Sequence, residues 1–222
     1  MNVIKAIKSR KSVRSFNSKK VPLSIIRKIL EVASQAPSGS NTQPWNVHVL
    51  MGKSLKKFVC EMSEEFLNNN DKLKLERLNY MKKYRSPYQD RRRKVGWDLY
   101  KILKIKKGDY KKTLEFHSLN YRFFNAPVGL IFSIEKDLGW MSWLDYGMFL
   151  QNISLVSRSY GLHSCPQAAW GLVYKKANEV LKLKKNFTVH CGMAIGYENK
   201  KNKINSLVTE REKIDNFCKF LD

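Results

Sequence analysis

A chain of 222 residues is long enough for one domain with a sizeable core, and 43% hydrophobic residues exclude a disordered chain. Lysine and arginine total 42 against 19 acidic residues, and the resulting net charge of +23 suits nucleic acid, an anionic membrane surface or acidic ligands. Because the lysines are spread over the whole sequence, we favour a general compositional drift over a dedicated binding surface.

The four cysteines are widely spaced, which argues against both a disulfide framework and a C-x-x-C zinc site. We therefore expect no metal and a reducing compartment. No stretch approaches eighteen apolar residues, so we expect no membrane span and a cytoplasmic protein. The cysteines are Cys60, Cys165, Cys191 and Cys218.

The chain begins with a short predicted helix that carries Val3, Ile4 and Ile7 and leads into a basic segment, residues 9–16. Alternation along this segment sends Arg10, Ser12 and Arg14 to one side. Arginine offers a planar fork to phosphate oxygens and serine adds a donor, so the segment is a candidate oxyanion cradle. The alternative interpretation is an ordinary solvated basic run.

A second helix is predicted after Pro22, and a polar loop, residues 36–45, joins it to a strand. Pro37 and Pro44 restrict the backbone near the two ends of the loop, and Gly39 permits close approach. Five neutral hydrogen-bonding side chains lie between them: Ser38, Ser40, Asn41, Thr42 and Gln43. The loop is suited to a flat, uncharged, hydrogen-bonding edge. A capped turn with Trp45 in the core is the alternative.

The middle of the chain holds a predicted helix over 53–67 and then a basic aromatic segment. Three interpretations of this segment stay open: a nucleic-acid surface, a lid over an aromatic anion, and an amphipathic helix with Val95, Leu99 and Ile102 inward. The segment contains Tyr80, Tyr84, Arg85, Tyr88, Arg91, Arg92, Arg93, Trp97 and Tyr100.

Residues 140–160 predict a helix that is apolar nearly all round. Such a helix is buried on every side, which suggests that it packs on a second subunit as well as on its own sheet. Asp145 is the exception. The interpretation that we slightly favour is a paired structural carboxylate.

These motifs together resemble the nitroreductase family of flavin mononucleotide (FMN) enzymes, in the same order along almost the whole chain. The match consists of Arg-x-Ser-x-Arg, Pro-Ser-Gly-Ser-Asn-Thr-Gln-Pro-Trp, Asn-Ala-Pro before a strand over 128–134, the segments 160–169 and 192–197, and Val-Thr-Glu-Arg at 208–211. In this family, 128–134 corresponds to a central strand and 160–169 to a helix-end loop beside the flavin.

The resemblance implies an α+β fold: a mixed, largely antiparallel sheet flanked by helices, in one domain over 1–222 with a helical basic and aromatic insertion at about 70–120. It implies a homodimer with two FMN sites at the interface and a C-terminal arm, from about residue 199, that reaches over the partner. For the substrate side it implies Asp145, Tyr88, Arg92 and Trp97. For the cofactor it implies Arg10, Lys11, Ser12, Arg14, Pro37, Ser38, Gly39, Asn41, Pro166, Gln167, Ala168 and Arg211.

The resemblance also implies a ping-pong reaction in which NAD(P)H reduces the flavin and a nitroaromatic, quinone or similar acceptor then takes two electrons. No catalytic acid or base stands out, since His163 has no obvious acidic partner and Cys165 suits packing. The flavin would carry the chemistry. The alternatives are a same-fold flavin enzyme that performs reductive dehalogenation or enoate reduction, and a basic nucleic-acid-binding protein. We expect no dedicated nucleic-acid or membrane partner.

Overall fold

The computed structural model of the protein describes residues 1–73 and 84–221. Its centre is a four-stranded sheet, in which every pair of neighbouring strands is antiparallel. The strands are β1 (Asn46–Met51), β2 (Val128–Glu135), β3 (His163–Gln167) and β4 (Phe187–Gly196), in the order β1-β2-β4-β3. The α+β prediction is confirmed. The parallel contribution to the expected mixed sheet is an isolated bridge between Ser12 and Ser164.

Helices cover both faces of the sheet and enclose two separate cores. The helices are α1 (Val3–Ser9), α2 (Leu23–Ala33), α3 (Gly52–Asn69), α4 (Tyr88–Leu103), α5 (Tyr110–Ser118), α6 (Met141–Ser159) and α7 (Tyr174–Val180). One core joins α2 and α6 to the sheet, and the other joins α3, α4, α5 and α7 to its opposite face.

β2 is the central strand that the sequence predicts, and residues 128–134 are all buried. Alternation along the strand divides its side chains between the two cores. Leu130 and Phe132 pack towards α2 and α6, while Ile131 packs towards α3. A strand with helices on both faces has no side that requires polar residues, which explains its continuous apolar sequence.

α6 forms where the apolar run predicts a helix, but one of its faces is exposed. Tyr146, Phe149 and Ile153 are buried against the sheet, whereas Leu144 is 57% exposed. Met141 is also exposed, next to Trp140 before the helix. The single chain therefore leaves an apolar stripe on α6 in contact with water.

The segment 163–167, expected as a loop beside the flavin, is instead the edge strand β3. It pairs with β4, and Pro166 lies opposite Met193. A proline is tolerated in an edge strand because its missing N–H can face away from the neighbouring strand. This expectation is corrected: the segment is held by the sheet.

The single-domain organisation with an insertion at about 70–120 stays a prediction. The described part of that stretch holds α4 and α5, whereas residues 74–83, including Tyr80, lie outside the described residues. Within the described ranges, no helix combines the length and apolar character that crossing a membrane requires.

Candidate functional site

The basic segment after α1 runs beside β3, where the Ser12–Ser164 bridge and a bond from Val13 N–H to the Ser164 carbonyl (3.2 Å) hold it. Burial raises the pKa of the Cys165 thiol to about 11, and the Arg14 and Arg10 charges and a hydrogen bond with Ser12 act in the opposite direction. Arg10, Ser12 and Arg14, the three residues of the candidate oxyanion cradle, therefore lie around the same buried thiol. Two of them, Arg10 and Ser12, are predicted phosphate ligands, and Arg14 is predicted either to join them or to reach the pyrimidine edge of the flavin. All three are half-buried, so their polar groups remain within reach of a ligand.

Lys11 lies between Arg10 and Ser12 in the sequence but contacts different groups. Its Nζ forms an ion pair with Glu198 (2.7 Å) and donates to the Asn205 carbonyl (2.8 Å). The cation is thus partly neutralised within the chain. That Lys11 also contacts the cofactor stays a prediction.

The polar loop between α2 and β1 presents its side chains to solvent. Ser40, Asn41 and Gln43 have φ angles of 48°, 56° and 48°, a left-handed conformation that is uncommon for residues other than glycine. Ser38 Oγ accepts from the backbone N–H of Gln43 (2.9 Å). Residues held in this conformation cluster at active sites and ligand-binding loops. Pro37, Gly39 and Asn41 are exposed, as a binding loop requires.

Asp145 anchors the polar loop from α6. Its carboxylate, 6% exposed, accepts from the backbone N–H of Gly39 at 3.2 Å. This contact matches the structural role that the sequence analysis slightly favoured, and a contact with substrate stays a prediction.

At the end of β3, Pro166 and Ala168 are exposed while the Gln167 side chain is buried. Gln167 Nε2 donates to the Asn120 carbonyl (2.7 Å), which fixes the strand end to the segment before β2. Pro166 and Ala168 can therefore face a ligand, and Gln167 can do so only through its backbone.

His163 has an acidic neighbour that the sequence analysis missed, because the strand pairing brings Glu198 to 3.4 Å from its Nε2. Burial, followed by the Arg158 charge, nevertheless lowers the pKa of His163 to about 4. The imidazole is therefore neutral at physiological pH. We assign it no catalytic role.

Arg211 lies on the exposed C-terminal segment. Its Nη1 donates to the Thr209 carbonyl (3.0 Å) and hydroxyl (2.9 Å) and to the Glu210 carbonyl (2.9 Å), all within that segment. The structure does not bring Arg211 together with Arg10 and Ser12, and its phosphate contact stays a prediction.

The arginines of α4 have partners inside the chain. Arg91 pairs with Glu212, and Arg92 lies over the Tyr84 ring at 5.0 Å. Val95 and Ile102 are half-buried and Leu99 is buried, as the amphipathic interpretation predicts.

The predicted substrate residues Tyr88, Arg92 and Trp97 are all exposed but do not share one face of α4. Tyr88 and Arg92 are one turn apart, whereas Trp97 projects about 180° away from Tyr88 at 3.6 residues per turn. They do not form one continuous contact surface on the helix.

Two buried or half-buried residues that the sequence analysis did not select, Glu198 and Asn205, organise the basic segment. An isolated glutamate or asparagine carries no pattern, so no sequence signal marks either one. Among residues 1–73 and 84–221, no group of three or more His, Cys, Asp or Glu side chains could hold a metal ion.

Comparison with known proteins gives a match to the model of the nitroreductase family over residues 7–197, most of the chain. The chain belongs to the nitroreductase family. A 4-nitrobenzoate reductase of Pseudomonas putida is 35% identical over 215 residues, which cover 97% of this chain and 93% of that protein. A chloronitrobenzene nitroreductase of Comamonas testosteroni is 32% identical over 97% of this chain and 95% of its own length.

Solved structures agree with this family assignment. The FMN- and NADPH-dependent nitroreductase NfnB of Sphigopyxis sp. strain HMH has a TM-score of 0.95 and 29% identity, with full coverage of both chains. The likeness extends over both cores and the C-terminal segment of this nitroreductase-family chain, so the predicted family is confirmed.

The residues present fit the FMN that the family implies. Arg10, Ser12 and Arg14 supply cationic and hydroxyl donors in one place, which is the chemistry that a phosphate monoester requires. The exposed amide of Asn41 can both donate to and accept from the polar edge of a flavin ring.

Proposed function

We propose that this chain is an FMN-dependent oxidoreductase that transfers two electrons from NAD(P)H to a nitroaromatic, quinone or similar acceptor. Membership of the nitroreductase family supports the cofactor and the electron donor. The relatives named above, which reduce nitrobenzoate and chloronitrobenzene by name, support a nitroaromatic acceptor.

The observation that carries the proposal is the convergence of Arg10, Ser12 and Arg14 around Cys165, beside the exposed end of β3. In this proposal the three residues bind the FMN phosphate, and Arg211 joins them from the C-terminal segment. Each charged contact contributes about 1.5–3 kcal/mol to the free energy of FMN binding. Pro166 and Ala168 line the ring along β3.

The polar loop contacts the flavin ring, at the other end of FMN from the phosphate. Asn41 binds the pyrimidine edge of the ring, and Pro37 and Ser38, with Gly39 beside them, line the ring from the partner subunit. The bond from Gly39 to Asp145 holds the loop at a fixed position on α6.

The bound flavin supplies the hydride chemistry. The protein binds and orients the reactants, and neither the neutral His163 nor the buried Cys165 thiol is needed as an acid, base or nucleophile. NAD(P)H and the acceptor occupy the open face of the site in turn, which makes the reaction ping-pong.

The site is proposed to be completed by a second copy of the chain. Exposed apolar residues on α1, α6 and the C-terminal segment support a homodimer, because monomeric proteins seldom leave so much apolar surface in water. They include Val3, Ile4, Met141, Leu144, Phe217, Phe220 and Leu221. In this dimer the arm from about residue 199 reaches over the partner.

Steady-state kinetics test the proposed reaction. With FMN bound, initial rates against NADPH at several fixed concentrations of 4-nitrobenzoate should give parallel double-reciprocal lines. Intersecting lines would exclude the ping-pong order. Turnover of a halogenated phenol or an enoate with no turnover of nitroaromatics or quinones would favour the same-fold alternatives.

A further inference from the structure

Asn205 is buried at the junction of the basic segment and the C-terminal segment, with 4% of its surface exposed. Its Oδ1 accepts from the backbone N–H of Arg14 (2.8 Å). Its Nδ2 donates to the carbonyls of Ser15 (2.8 Å) and Asn199 (3.1 Å). The carboxamide therefore makes three hydrogen bonds, all to backbone groups.

The backbone of Asn205 makes one further connection to the basic segment. Its carbonyl accepts from Lys11 Nζ at 2.8 Å, and the same Nζ lies 2.7 Å from the Glu198 carboxylate. Asn205 thus holds the segment at two points, residues 14–15 and the Lys11 side chain. The two points flank Ser12.

This arrangement determines which side chains of the basic segment are available to a ligand. In an extended segment, alternate side chains point to opposite sides. With Lys11 tied to Glu198 and Asn205, its neighbours Arg10 and Ser12 are directed to the other side, around Cys165, where Arg14 also lies. Two of the three carboxamide bonds, those to Arg14 and Ser15, fix the backbone that carries Arg14.

We propose that Asn205 is a positioning residue for phosphate recognition: it holds the Arg10–Arg14 segment so that Arg10, Ser12 and Arg14 converge on the phosphate. Lys11 and Glu198 act through the same junction. The inference rests on the proposed function, because it takes FMN as the ligand whose phosphate the segment binds.

The position of Asn205 in the chain extends the argument to the C-terminal segment. It lies just before the point where that segment leaves the chain's own core, since Ile204 is buried, Leu207 packs half-buried on the same core, and residues 208–217 are exposed. Asn205 therefore connects the basic segment to the start of the exposed segment that carries Arg211.

The test compares binding of FMN with binding of riboflavin, which has the same ring and lacks the phosphate. Both dissociation constants are measured by flavin fluorescence on the apoprotein. We expect Asn205→Ala to raise the dissociation constant of FMN about tenfold, because one or two net hydrogen bonds are lost. Riboflavin binding should change by less than about twofold, because no bond to the ring is altered.

Asn202→Ala is the matched control. Asn202 is the same residue type in the same turn and accepts from Ile204 N–H (3.1 Å), without a bond to the basic segment. We expect it to leave the ratio of the two dissociation constants unchanged. If Asn205→Ala precipitates, Asn205→Ser makes the same test, because it also removes the carboxamide but leaves a hydroxyl that can satisfy one buried backbone group.

The outcomes separate this inference from the proposed function. If the wild-type chain binds neither flavin, the proposed function fails. If wild type prefers FMN and Arg10→Ala reduces that preference while both Asn205 variants keep it, the positioning role alone is wrong. If Asn205→Ala weakens the binding of FMN and of riboflavin equally, the positioning role is also wrong, because a general structural defect gives that result.

Discussion

The backbone N–H of Gly39 donates to the Asp145 carboxylate across 3.2 Å, which ties the polar loop after α2 to the first half of α6. The two residues are far apart in the sequence, and the buried position of Asp145 makes the bond a constraint on the loop. In the proposed enzyme, the loop and α6 meet at the flavin ring and at the subunit interface. In that proposal the bond connects cofactor binding to the apolar stripe on α6.

Asp145→Ala should lower the melting temperature and weaken FMN binding, because it leaves the Gly39 N–H without its acceptor and frees the loop. Loss of a hydrogen bond to a charged acceptor corresponds to about 1.5–3 kcal/mol. Asp145→Asn keeps an acceptor oxygen, so its melting temperature and its FMN affinity should stay close to those of the wild type. Calorimetry and flavin titration measure the two effects. Normal stability of Asp145→Asn with a raised KM for the acceptor would instead support a substrate contact.

Arg10→Ala and Arg211→Ala should each weaken FMN binding by about ten- to a hundredfold, because each removes one charge-assisted phosphate contact. Arg27→Ala, which removes an exposed arginine from α2, is the control for the loss of charge alone. Flavin titration of the apoprotein gives the three affinities. Unchanged affinity in both of the first two variants would exclude the assigned phosphate ligands.

The wild-type protein should have twice the 26.0 kDa mass of the chain in light scattering at micromolar concentration. Leu144→Glu should shift it towards a monomer, since a carboxylate on the exposed apolar stripe of α6 cannot be desolvated cheaply. Tyr110→Glu places the same charge at an exposed position of α5 and should leave the mass unchanged. A stable, flavin-loaded wild-type monomer would exclude the dimer.

Arg92→Gln should raise the KM for 4-nitrobenzoate by about two- to fivefold, the effect of one exposed charge, and leave nitrobenzene nearly unaffected. The reason is that only the anion loses a Coulomb attraction. Arg91→Gln is the comparison, because Glu212 already neutralises Arg91. Equal KM changes for both acceptors would place Arg92 on a solvated helix face. Loss of oligonucleotide binding with intact turnover would indicate a nucleic-acid surface.

Much of the fold is predictable because its signals are local. The spacing of five apolar residues predicts one inward face for α2. Ile26, Ile29 and Ala33 are at most 1% exposed, and Ile25 and Leu30 are half-buried. The apolar run 128–134 likewise identifies β2. The exposure of Leu144 could not be predicted, since the composition of α6 does not show which side meets water in a single chain.

Local sequence patterns could not predict the long-range contacts of the site. Glu198 approaches His163 only because β3 pairs with β4, and Asn205 meets Arg14 through the return of the C-terminal segment. The separation of Trp97 from Tyr88 is different, because helical geometry alone specifies it once α4 is assigned. Grouping them as one surface overlooked the period of the helix.

The visible absorbance spectrum of the purified protein tests the central claim most directly. After incubation with FMN and removal of the free cofactor, the account predicts a yellow protein with about one flavin per chain, because one set of phosphate ligands serves one phosphate. Anaerobic addition of NADPH or NADH should bleach the flavin band, and a nitroaromatic should restore it. A folded, colourless protein that retains no FMN would contradict the account.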